Sequence, residues 1–363
     1  MREIKVLHID DKTSWAGGQS QLFQLYRKQL ESDDIRPYLA VRKKSALVER
    51  LGSSQGIYHF NLRSELDPLA VISLRSIIKK VQPDIIQCHT PHSIYPAFIA
   101  SKFTKEKPKL IIVRRVDNPL KSCIKYKITS DCIVAVSENV LGMMKKSGYN
   151  RDNVVVIRDG VDKADVFTKG STQVNHYHKY AMEGKIRIGS ISTLIYHKGI
   201  DILINAFSLL SSEKDNLHLF IAGDGDQKKS LEKLARDLNI DKHVTFLGFV
   251  GKPYGFINFL DIIIFPSRTE GLCSSILDAL VMNKRIIASE SGGIPEIIND
   301  GINGLLFCPG DIHDLSRKIS VLLEKPVLPG GDGPEGSEKL PWWADISYNA
   351  EKYALLYRQI LKK

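Results

Sequence analysis

The sequence has 363 residues, 43% of them hydrophobic, which is enough for two domains whose cores need no disulfide or metal support. Five widely spaced cysteines, an odd number, argue against a disulfide scaffold or a structural zinc site and favour a reducing compartment. No apolar run reaches the roughly 18 residues of a membrane span, and the net charge of +10 comes from residues 1–150, which hold 25 lysines and arginines against 14 acids.

Short apolar runs alternate with amphipathic segments through the first half of the sequence. This alternation predicts a parallel sheet covered by helices on both faces, which is a Rossmann-like domain. Ligands of such sheets bind beyond the carboxyl ends of the strands, so the loops there are the places to search for a site. The predicted strands are Lys5–Ile9, Tyr38–Val41, Asp84–Cys88, Leu110–Val113, Cys132–Val136 and Val154–Ile157.

Two of these loops carry residues suited to a site. Gly17 and Gly18 follow the first strand and precede a helix predicted over Gln19–Leu30. Glycines let backbone amides approach a phosphate closely, although most such pairs only reverse the chain. The loop after Cys88 contains His89 and His92, whose side chains titrate near neutral pH. The alternative for either histidine is a helix cap or a place in the core.

The second half repeats the alternation and predicts a second Rossmann-like domain. We expect the boundary between the two domains within Val161–Lys185, and a second linker at the glycine- and proline-rich stretch Leu328–Ser337. Apolar residues after that linker recur at helical spacing and predict a C-terminal helix over about 344–363. The predicted strands are Ile186–Ser190, Leu217–Ala222, Val244–Leu247, Ile262–Phe265, Arg285–Ala288 and Gly304–Phe307.

The segment that follows Ile262–Phe265 is the most informative of the sequence. It reads as a strand, a turn and a helix, with Glu270 at the turn and Asp278 eight residues later, about two helical turns on and so on one helix face. Amides at a helix start attract phosphate, and carboxylates accept hydrogen bonds from sugar and ribose hydroxyls. The combination indicates a nucleotide sugar. The alternative is that the acids only favour the start of a helix.

This segment resembles the signature of the retaining glycosyltransferases of family 4, in which a Glu is followed eight residues later by a second Glu. Asp278 stands in the second place here. The resemblance implies the α/β GT-B architecture, two Rossmann-like doubly wound parallel-sheet domains facing across a cleft. It covers roughly residues 1–325, and its further matches are Ile157–Asp162, Ala222–Asp226, Ser291–Glu296, Gly301–Leu306 and Pro309–Asp311.

The resemblance also implies how the domains and their residues are used. Residues 1–165 bind the acceptor, residues 166–343 bind the donor, and the C-terminal helix crosses back onto the first domain. Glu270 holds the hydroxyls of the transferred sugar, Lys198 clamps the pyrophosphate, and His89 lies beside the reacting sugar, which makes these three the expected catalytic residues. The implied donor-binding positions are Gly17, Gly18, Thr193, Lys198, Gly223, Phe249, Val250, Arg268, Glu270, Gly271, Leu272, Cys273, Ser274 and Asp278, with Asp278 on the ribose.

One of these positions departs from the family. The family places an Arg five residues before the Lys, and Thr193 stands there instead, which brings neither a charge nor a bidentate fork. Arg268 is the expected substitute. Asp224 and Asp226 resemble the Asp-x-Asp metal motif of another glycosyltransferase class, but they match a Gly-Asp-Gly turn of this family, so no metal or cofactor is expected.

The implied reaction retains anomeric configuration by attack on the same face, with no side-chain nucleophile, and domain closure excludes water. UDP- or GDP-sugars are the expected donors. His92, Arg114 and Arg115 are the expected acceptor-side residues, and the basic first half favours an anionic or lipid-linked glycan acceptor, such as a lipopolysaccharide core. We expect a cytoplasmic protein, peripheral at the inner face of the plasma membrane, and no nucleic-acid partner, because no binding motif accompanies the charge.

Two alternatives remain. A related fold also serves epimerases, which convert a nucleotide sugar without an acceptor. The departure at Thr193 also allows a non-catalytic protein that binds a nucleotide sugar without turnover.

Overall fold

The computed structural model describes residues 2–52, 56–105, 107–120, 122–211, 216–324 and 340–362. The chain divides into two compact units. Unit 1 consists of Met1–Gly160 together with Trp343–Lys363, and unit 2 consists of Val161–Trp342. The predicted linker Leu328–Ser337 lies outside the described residues.

Unit 1 is built on a parallel sheet with the strand order β3-β2-β1-β4-β5-β6-β7. Its central strands are fully buried because helices cover both faces, which explains why their sequences are continuous apolar runs. The strands are β1 (Ile4–Asp10), β2 (Ile35–Val41), β3 (Ile57–His59), β4 (Ile85–Cys88), β5 (Lys109–Arg114), β6 (Cys132–Ala135) and β7 (Val154–Val156). The helices are α1 (Gly17–Leu30), α2 (Ala46–Leu51), α3 (Pro68–Val81), α4 (Ile94–Lys102), α5 (Cys123–Thr129) and α6 (Glu138–Lys146).

Strand β3 is the one strand of this sheet that the sequence analysis missed. It has three residues, lies at the sheet edge and pairs only with β2, through Leu39 and Ile57 and the next two positions. A run this short carries no alternation that distinguishes it from a loop.

Unit 2 contains a second parallel sheet, with the strand order β10-β9-β8-β11-β12-β13. All six of its strands are predicted, with ends that differ by at most one residue. The strands are β8 (Ile186–Ile191), β9 (Leu217–Ala222), β10 (Val244–Gly248), β11 (Ile262–Phe265), β12 (Arg285–Ser289) and β13 (Leu305–Phe307). The helices are α7 (Lys163–Gln173), α8 (Ile200–Ser211), α9 (Lys228–Asp237), α10 (Pro253–Phe259), α11 (Ser275–Val281) and α12 (Ile312–Glu324).

Helix α7 occupies the polar segment in which the sequence analysis placed the domain boundary. The side chain of Asp162 accepts a hydrogen bond from the Asp165 amide at 3.0 Å and so caps the helix start. Helix α7 then packs against α10 and α11. The segment therefore belongs to unit 2, and the division of the chain lies just ahead of it, between Gly160 and Val161.

The C-terminal helix (Ile346–Lys362) belongs to unit 1 and packs against α1. Tyr353, Leu356, Tyr357 and Ile360 are buried at intervals of three and four residues, so they form one apolar stripe along the helix. The side chain of Asp345 accepts from the amide two residues later at 2.8 Å, at the helix start.

Each sheet contains one point where the strand order reverses direction. This point lies between β1 and β4 in unit 1 and between β8 and β11 in unit 2. The crevice beyond the carboxyl ends of such a strand pair is the preferred ligand site of an open parallel sheet. The flanking loops are residues 11–16 and 89–93 in unit 1, and residues 192–199 and 266–274 in unit 2.

Candidate functional site

The two loops beside the β8–β11 crevice are held together by their backbones. The amide of Arg268 donates to the carbonyl of His197 at 2.8 Å. Gly199 adopts φ +66°, and a Cβ atom at this position would lie 2.0 Å from the Pro266 carbonyl oxygen. Only glycine fits this approach, which explains why a glycine follows Lys198 in the sequence.

A third loop supports the backbone of Glu270. The hydroxyls of Ser289 and Ser291 donate to the Ser267 carbonyl at 2.5 and 2.8 Å. Gly292 has φ +57°, and a Cβ there would lie 1.8 Å from the Glu270 carbonyl oxygen. The amide of Gly293 donates to the same carbonyl oxygen at 3.0 Å. The Ser-Gly-Gly sequence after β12 therefore fixes the position of Glu270.

Lys198 and Glu270 form an ion pair in this crevice. The Lys198 Nζ lies 2.5 Å from Glu270 Oε2, and the Ser267 hydroxyl donates to the same oxygen at 3.2 Å. The two charged side chains are mostly buried, with 23% and 14% of their surfaces exposed. Loss of either partner would leave a poorly solvated charge, so the pair is costly to break. The structure thus brings together two of the three residues predicted to be catalytic.

Glu270 and Asp278 do not share a helix face, and that prediction is wrong. Helix α11 begins at Ser275, so Glu270 lies in the loop before it and only Asp278 is helical. The loop departs from helical geometry at Cys273, which has φ +66°. The amides beside Glu270 therefore belong to a loop and not to the start of a helix.

Asp278 lies in the first turn of α11 and is half-buried. No hydrogen bond or ion pair to this side chain is found within the described residues. Burial raises the pKa of Asp278 to about 8, and the neighbouring charge of Asp165 acts in the same direction. A half-buried carboxyl group of this kind is suited to a polar ligand.

The four residues between Glu270 and α11 are largely enclosed. Gly271 and Leu272 are buried, and Ser274 stands at the N-cap position of α11 without a capping hydrogen bond from its side chain. Burial raises the pKa of the Cys273 thiol, and Glu270 adds to the shift. The thiol is therefore protonated near neutral pH and is not an activated nucleophile.

Arg268 is engaged elsewhere and does not present a free fork. Its Nη1 and Nη2 donate to the two carboxylate oxygens of Asp201 at 2.7 and 2.6 Å. Its guanidinium also lies 4.2 Å from the centre of the Tyr196 ring. Thr193 is exposed at the start of the same loop. The loop of residues 192–199 contains two predicted phosphate ligands, Thr193 and Lys198. Only Lys198 carries a positive charge.

The loops after β9 and β10 meet at Gly223. Its amide donates to the Gly248 carbonyl at 2.8 Å, and its φ of +139° brings the Cβ position to 1.8 Å from the Ser192 carbonyl oxygen. Phe249 follows Gly248 with 61% of its surface exposed, and Val250 is half-buried. An exposed aromatic ring at a strand end is well placed to stack on a planar base.

The Asp224 region forms a turn. The Asp224 carboxylate accepts from the Gly225 amide at 2.8 Å and lies 3.9 Å from the Lys228 ammonium. Among the residues that the structure describes, no group of three or more His, Cys, Asp or Glu side chains is arranged to hold a metal ion.

In unit 1, a series of side-chain hydrogen bonds leads from His89 to the C-terminal helix. His89 Nε2 lies 3.0 Å from His8 Nδ1, and His8 Nε2 lies 2.8 Å from Gln29 Oε1. The Gln29 amide donates to the Tyr357 hydroxyl at 3.1 Å, and this hydroxyl donates to Gln87 Oε1 at 2.5 Å. We call this series, together with Arg115, the relay. The five side chains of the hydrogen-bonded series are buried, and Arg115 is half-buried.

Arg115 fixes the direction of the relay. Its Nη1 lies 3.2 Å from His89 Nδ1, and a guanidinium only donates, so His89 Nδ1 accepts and the ring proton is on Nε2. His8 then accepts at Nδ1 and donates from Nε2. Burial is the main cause that lowers the pKa of His8 to about 4 and that of His89 well below its ordinary value. Both rings are therefore neutral near pH 7.

The contacts of the relay bear on the role that was predicted for His89. Both of its ring nitrogens are engaged within unit 1, so in this conformation the imidazole has no spare donor for a sugar hydroxyl. Sequence reasoning missed His8, Gln29, Tyr357 and Gln87 as its partners, because they come from separate elements and only the tertiary fold joins them.

The other predicted acceptor-side residues have different surroundings. Arg115 Nε donates to Asp159 at 3.2 Å, whereas Arg114 is buried and donates to the Tyr126 hydroxyl at 3.0 Å and to the Asn118 carbonyl. This contact assigns Arg114 to the framework of unit 1. His92 is exposed, with Nδ1 at 3.9 Å from Asp11. A cavity of about 60 Å³ lined in part by His89, Arg115 and Tyr126 has room for a few water molecules.

Helix α1 begins two residues earlier than predicted, so Gly17 and Gly18 form its first turn. Ala16 at the N-cap supplies no side-chain hydrogen bond, and the first turn contains no acid. A Cβ on Gly18 would lie 3.6 Å from Arg115 Cδ, so the guanidinium side chain borders this helix end. Amides without a side-chain cap beside an arginine attract anions.

Comparisons with known proteins agree with this architecture. Residues 16–165 match the model of Glycosyltransferase Family 4, and residues 176–331 match that of Glycosyl transferases group 1. The chain is 23% identical over 289 residues to the lipopolysaccharide core biosynthesis glycosyltransferase LpsE of Rhizobium meliloti (strain 1021), covering 78% of each chain. It is 22% identical over 313 residues to the capsular polysaccharide biosynthesis glycosyltransferase CapM of Staphylococcus aureus, covering 82% of each. The crystal structure of Anabaena Alr3699/HepE in complex with UDP and glucose superimposes with a TM-score of 0.77 at 20% identity, covering 99% of this chain and 98% of the other.

Proposed function

The chain belongs to the family 4, group 1 glycosyltransferases, and we propose that it is a retaining enzyme that uses a nucleotide sugar as its donor. Its two Rossmann-like units confirm the GT-B fold. We propose that unit 2 binds the donor, that the reaction needs no metal ion, and that unit 1 binds the acceptor.

The Lys198–Glu270 ion pair is the observation that carries this proposal. Its two charges have opposite uses toward a nucleotide sugar, because an ammonium neutralises phosphate and a carboxylate accepts from sugar hydroxyls. The pair lies where the β8 and β11 loops flank the crevice of the sheet. Diphosphate binding draws Lys198 toward the phosphates and frees Glu270 Oε2 for the sugar. Each charge is thus kept compensated before the ligand arrives.

Two further groups support a nucleoside next to this pair. Asp278 has a half-buried carboxyl group to which no hydrogen bond is found within the described residues, and the two ribose hydroxyls are donors that would satisfy it. Phe249 exposes its ring at the end of β10 and can stack on a base, while Val250 and the loop backbone line the base edge. UDP and GDP sugars both fit these groups.

The proposed mechanism places transition-state stabilisation on the departing phosphate. Lys198 and nearby backbone amides neutralise the charge that develops on the leaving nucleoside diphosphate. The acceptor hydroxyl attacks the anomeric carbon on the face from which the phosphate departs, and a phosphate oxygen takes the hydroxyl proton. The anomeric configuration is retained without a covalent intermediate on a side chain. The protonated Cys273 thiol agrees with this absence of a protein nucleophile.

We propose a cell-surface glycan or its lipid-linked precursor as the acceptor. Support comes from the named activities of LpsE and CapM and from the positive charge of residues 1–150. Within unit 1, the uncapped first turn of α1 is the group best suited to an anionic substituent, and Arg115 beside it already pairs with Asp159. His89 then acts by holding Arg115 in place, through its Nδ1, and not by donating to the sugar.

A second candidate is a protein that binds a nucleotide sugar without turnover. The exposed Thr193 and the Arg268–Asp201 pair favour it, because neither position offers the arginine fork that stabilises a leaving diphosphate. Binding of a donor without transfer or hydrolysis would identify this case.

The variant Glu270→Gln tests the proposal, with UDP-glucose as the first donor. We expect it to bind UDP at least as tightly as the wild type, because no ion pair with Lys198 has to be broken, to lose the added affinity for UDP-glucose over UDP, and to lose transfer. Glu324→Gln, an exposed glutamate at the end of α12, is the matched control and should behave as the wild type. Transfer that persists in Glu270→Gln at the wild-type rate would contradict the proposal.

A further inference from the structure

Unit 1 exposes an apolar surface formed by α3, the end of α4, and α5. We define the α3–α5 surface by six side chains that share high exposure, between 56% and 72% of their area. They are Leu66, Leu69, Ile72, Phe103, Ile124 and Ile128. Exposed apolar side chains that occur singly are ordinary, but a group on adjacent helices marks an interaction site.

Side-chain contacts show that these residues form one surface. The Lys125 ammonium of α5 pairs with Glu65 at 2.7 Å and so brings α5 next to Leu66. The Arg75 guanidinium of α3 lies 5.4 Å from the centre of the Phe103 ring. Helix α4 packs against both α3 and α5. The exposed apolar side chains of α3, Phe103 and α5 therefore lie on neighbouring elements of unit 1, with α4 between the other two helices.

The charge around this surface has one sign. Helices α3, α4 and α5 contain six lysines and arginines and no aspartate or glutamate. The two acids just before α3 are both engaged, since Glu65 pairs with Lys125 and the buried Asp67 accepts from the Leu69 amide at the start of the helix. The exposed stripe of α3 is Leu69, Ile72, Arg75 and Lys79, at intervals of three and four residues.

We infer that the α3–α5 surface docks on an anionic lipid bilayer. Apolar side chains that enter the headgroup region, with cations that attract anionic lipid, are the two signals that stable peripheral binding needs. A nucleic acid offers no partner for the exposed isoleucines and leucines, and an acidic protein surface has no need of so wide an apolar area. No helix among the described residues has the length and apolar content to cross a membrane. This inference extends the proposed acceptor class but does not depend on turnover.

The test is sedimentation of the full chain with vesicles of phosphatidylcholine alone or mixed with phosphatidylglycerol. We expect binding to the mixed vesicles that weakens as salt rises. Arg75→Gln with Lys79→Gln should lower the partition coefficient about thirtyfold at low salt, from the usual contribution of each cation near such a surface. Leu69→Ser with Ile72→Ser should lower it at least about tenfold.

The matched controls lie in unit 2. Lys229→Gln with Lys242→Gln removes two exposed cations, and Phe167→Ser with Ile302→Ser removes two exposed apolar side chains. Both should bind vesicles as the wild type does. Equal binding by the α3–α5 variants and the wild type would overturn the inference, as would binding that is indifferent to phosphatidylglycerol or binding only to a soluble polyanion.

The failure of this inference and of the proposed function can be told apart. Stabilisation by nucleotide sugars reports on unit 2 and should be unchanged in the α3–α5 variants. Vesicle binding by a protein that no nucleotide stabilises would leave the surface assigned and refute the donor site. The reverse result would retain the donor site and refute the surface.

Discussion

Removal of the Tyr357 hydroxyl should destabilise unit 1 far more than removal of the Tyr353 hydroxyl, one turn earlier on the same helix. The Tyr357 hydroxyl accepts from Gln29 and donates to Gln87, whereas the buried Tyr353 hydroxyl has no hydrogen-bond partner within the described residues. Tyr357→Phe thus orphans one buried donor and one buried acceptor. Tyr353→Phe orphans none.

The expected difference follows from the cost of a buried polar group that loses its partner. This cost is about 1–3 kcal/mol for each group, so Tyr357→Phe should lower the free energy of unfolding by about 2–6 kcal/mol. Tyr353→Phe should change it by less than about 0.5 kcal/mol or raise it slightly, because an unpaired buried hydroxyl is itself unfavourable. Urea unfolding followed by tryptophan fluorescence measures both, since Trp15 and Trp343 lie in unit 1.

A second readout distinguishes the relay from simple packing. In protein labelled with 15N-histidine, both His8 and His89 should be neutral near pH 7 with the proton on Nε2, because Arg115 fixes the direction of the series. Equal destabilisation by the two tyrosine variants, or a proton on Nδ1 of His89, would refute the reasoning.

Three further predictions concern unit 2. Thr193→Arg places the missing guanidinium at an exposed position. It should strengthen the binding of a nucleoside diphosphate, measured by calorimetry, by about 10–100-fold, which is the range of a charge-assisted hydrogen bond. Unchanged affinity would show that this position does not face the phosphates. Gly292→Ala should abolish donor binding while circular dichroism shows the overall fold retained, because the new Cβ would lie 1.8 Å from the Glu270 carbonyl oxygen. Gly251→Ala is the control and should bind the donor normally, because a Cβ at that position meets open space. The raised pKa of Asp278, about 8, means that the folded state keeps this proton longer than the unfolded state, so its contribution to stability is present at low pH and is lost as pH rises through 8. Urea midpoints should therefore fall less between pH 5 and pH 8 in Asp278→Asn than in the wild type, and parallel pH dependence in the two proteins would contradict the assignment.

Local patterns predicted most of the framework. Leu217–Ala222 and Ile262–Phe265 have the predicted bounds because each is a buried, mainly apolar run between a polar residue and a glycine or proline. The same reasoning missed β3, whose three residues are stabilised by pairing with β2 and not by a pattern of their own. It also placed the boundary within the segment of α7, a helix that the Asp162 side chain caps.

The candidate site was predicted as a set of residues but not as a geometry. The spacing of Glu270 and Asp278 suggested one helix, whereas the turn at Cys273 places Glu270 outside it. The engagement of Arg268 by Asp201 and of His89 by Arg115 and His8 depends on which loops and strands become neighbours. Contacts of this kind join residues far apart in sequence, so no local pattern announces them.

We propose above that unit 2 binds a nucleotide sugar at Lys198 and Glu270. Thermal unfolding of the wild type with UDP-, GDP-, ADP- and CMP-sugars tests it most directly, because a ligand at about 100 times its dissociation constant adds roughly 2.7 kcal/mol of stability. We expect stabilisation that depends on the base and that Glu270→Gln loses for the sugar but keeps for the free nucleotide. A well-folded protein that none of these ligands stabilises would contradict it.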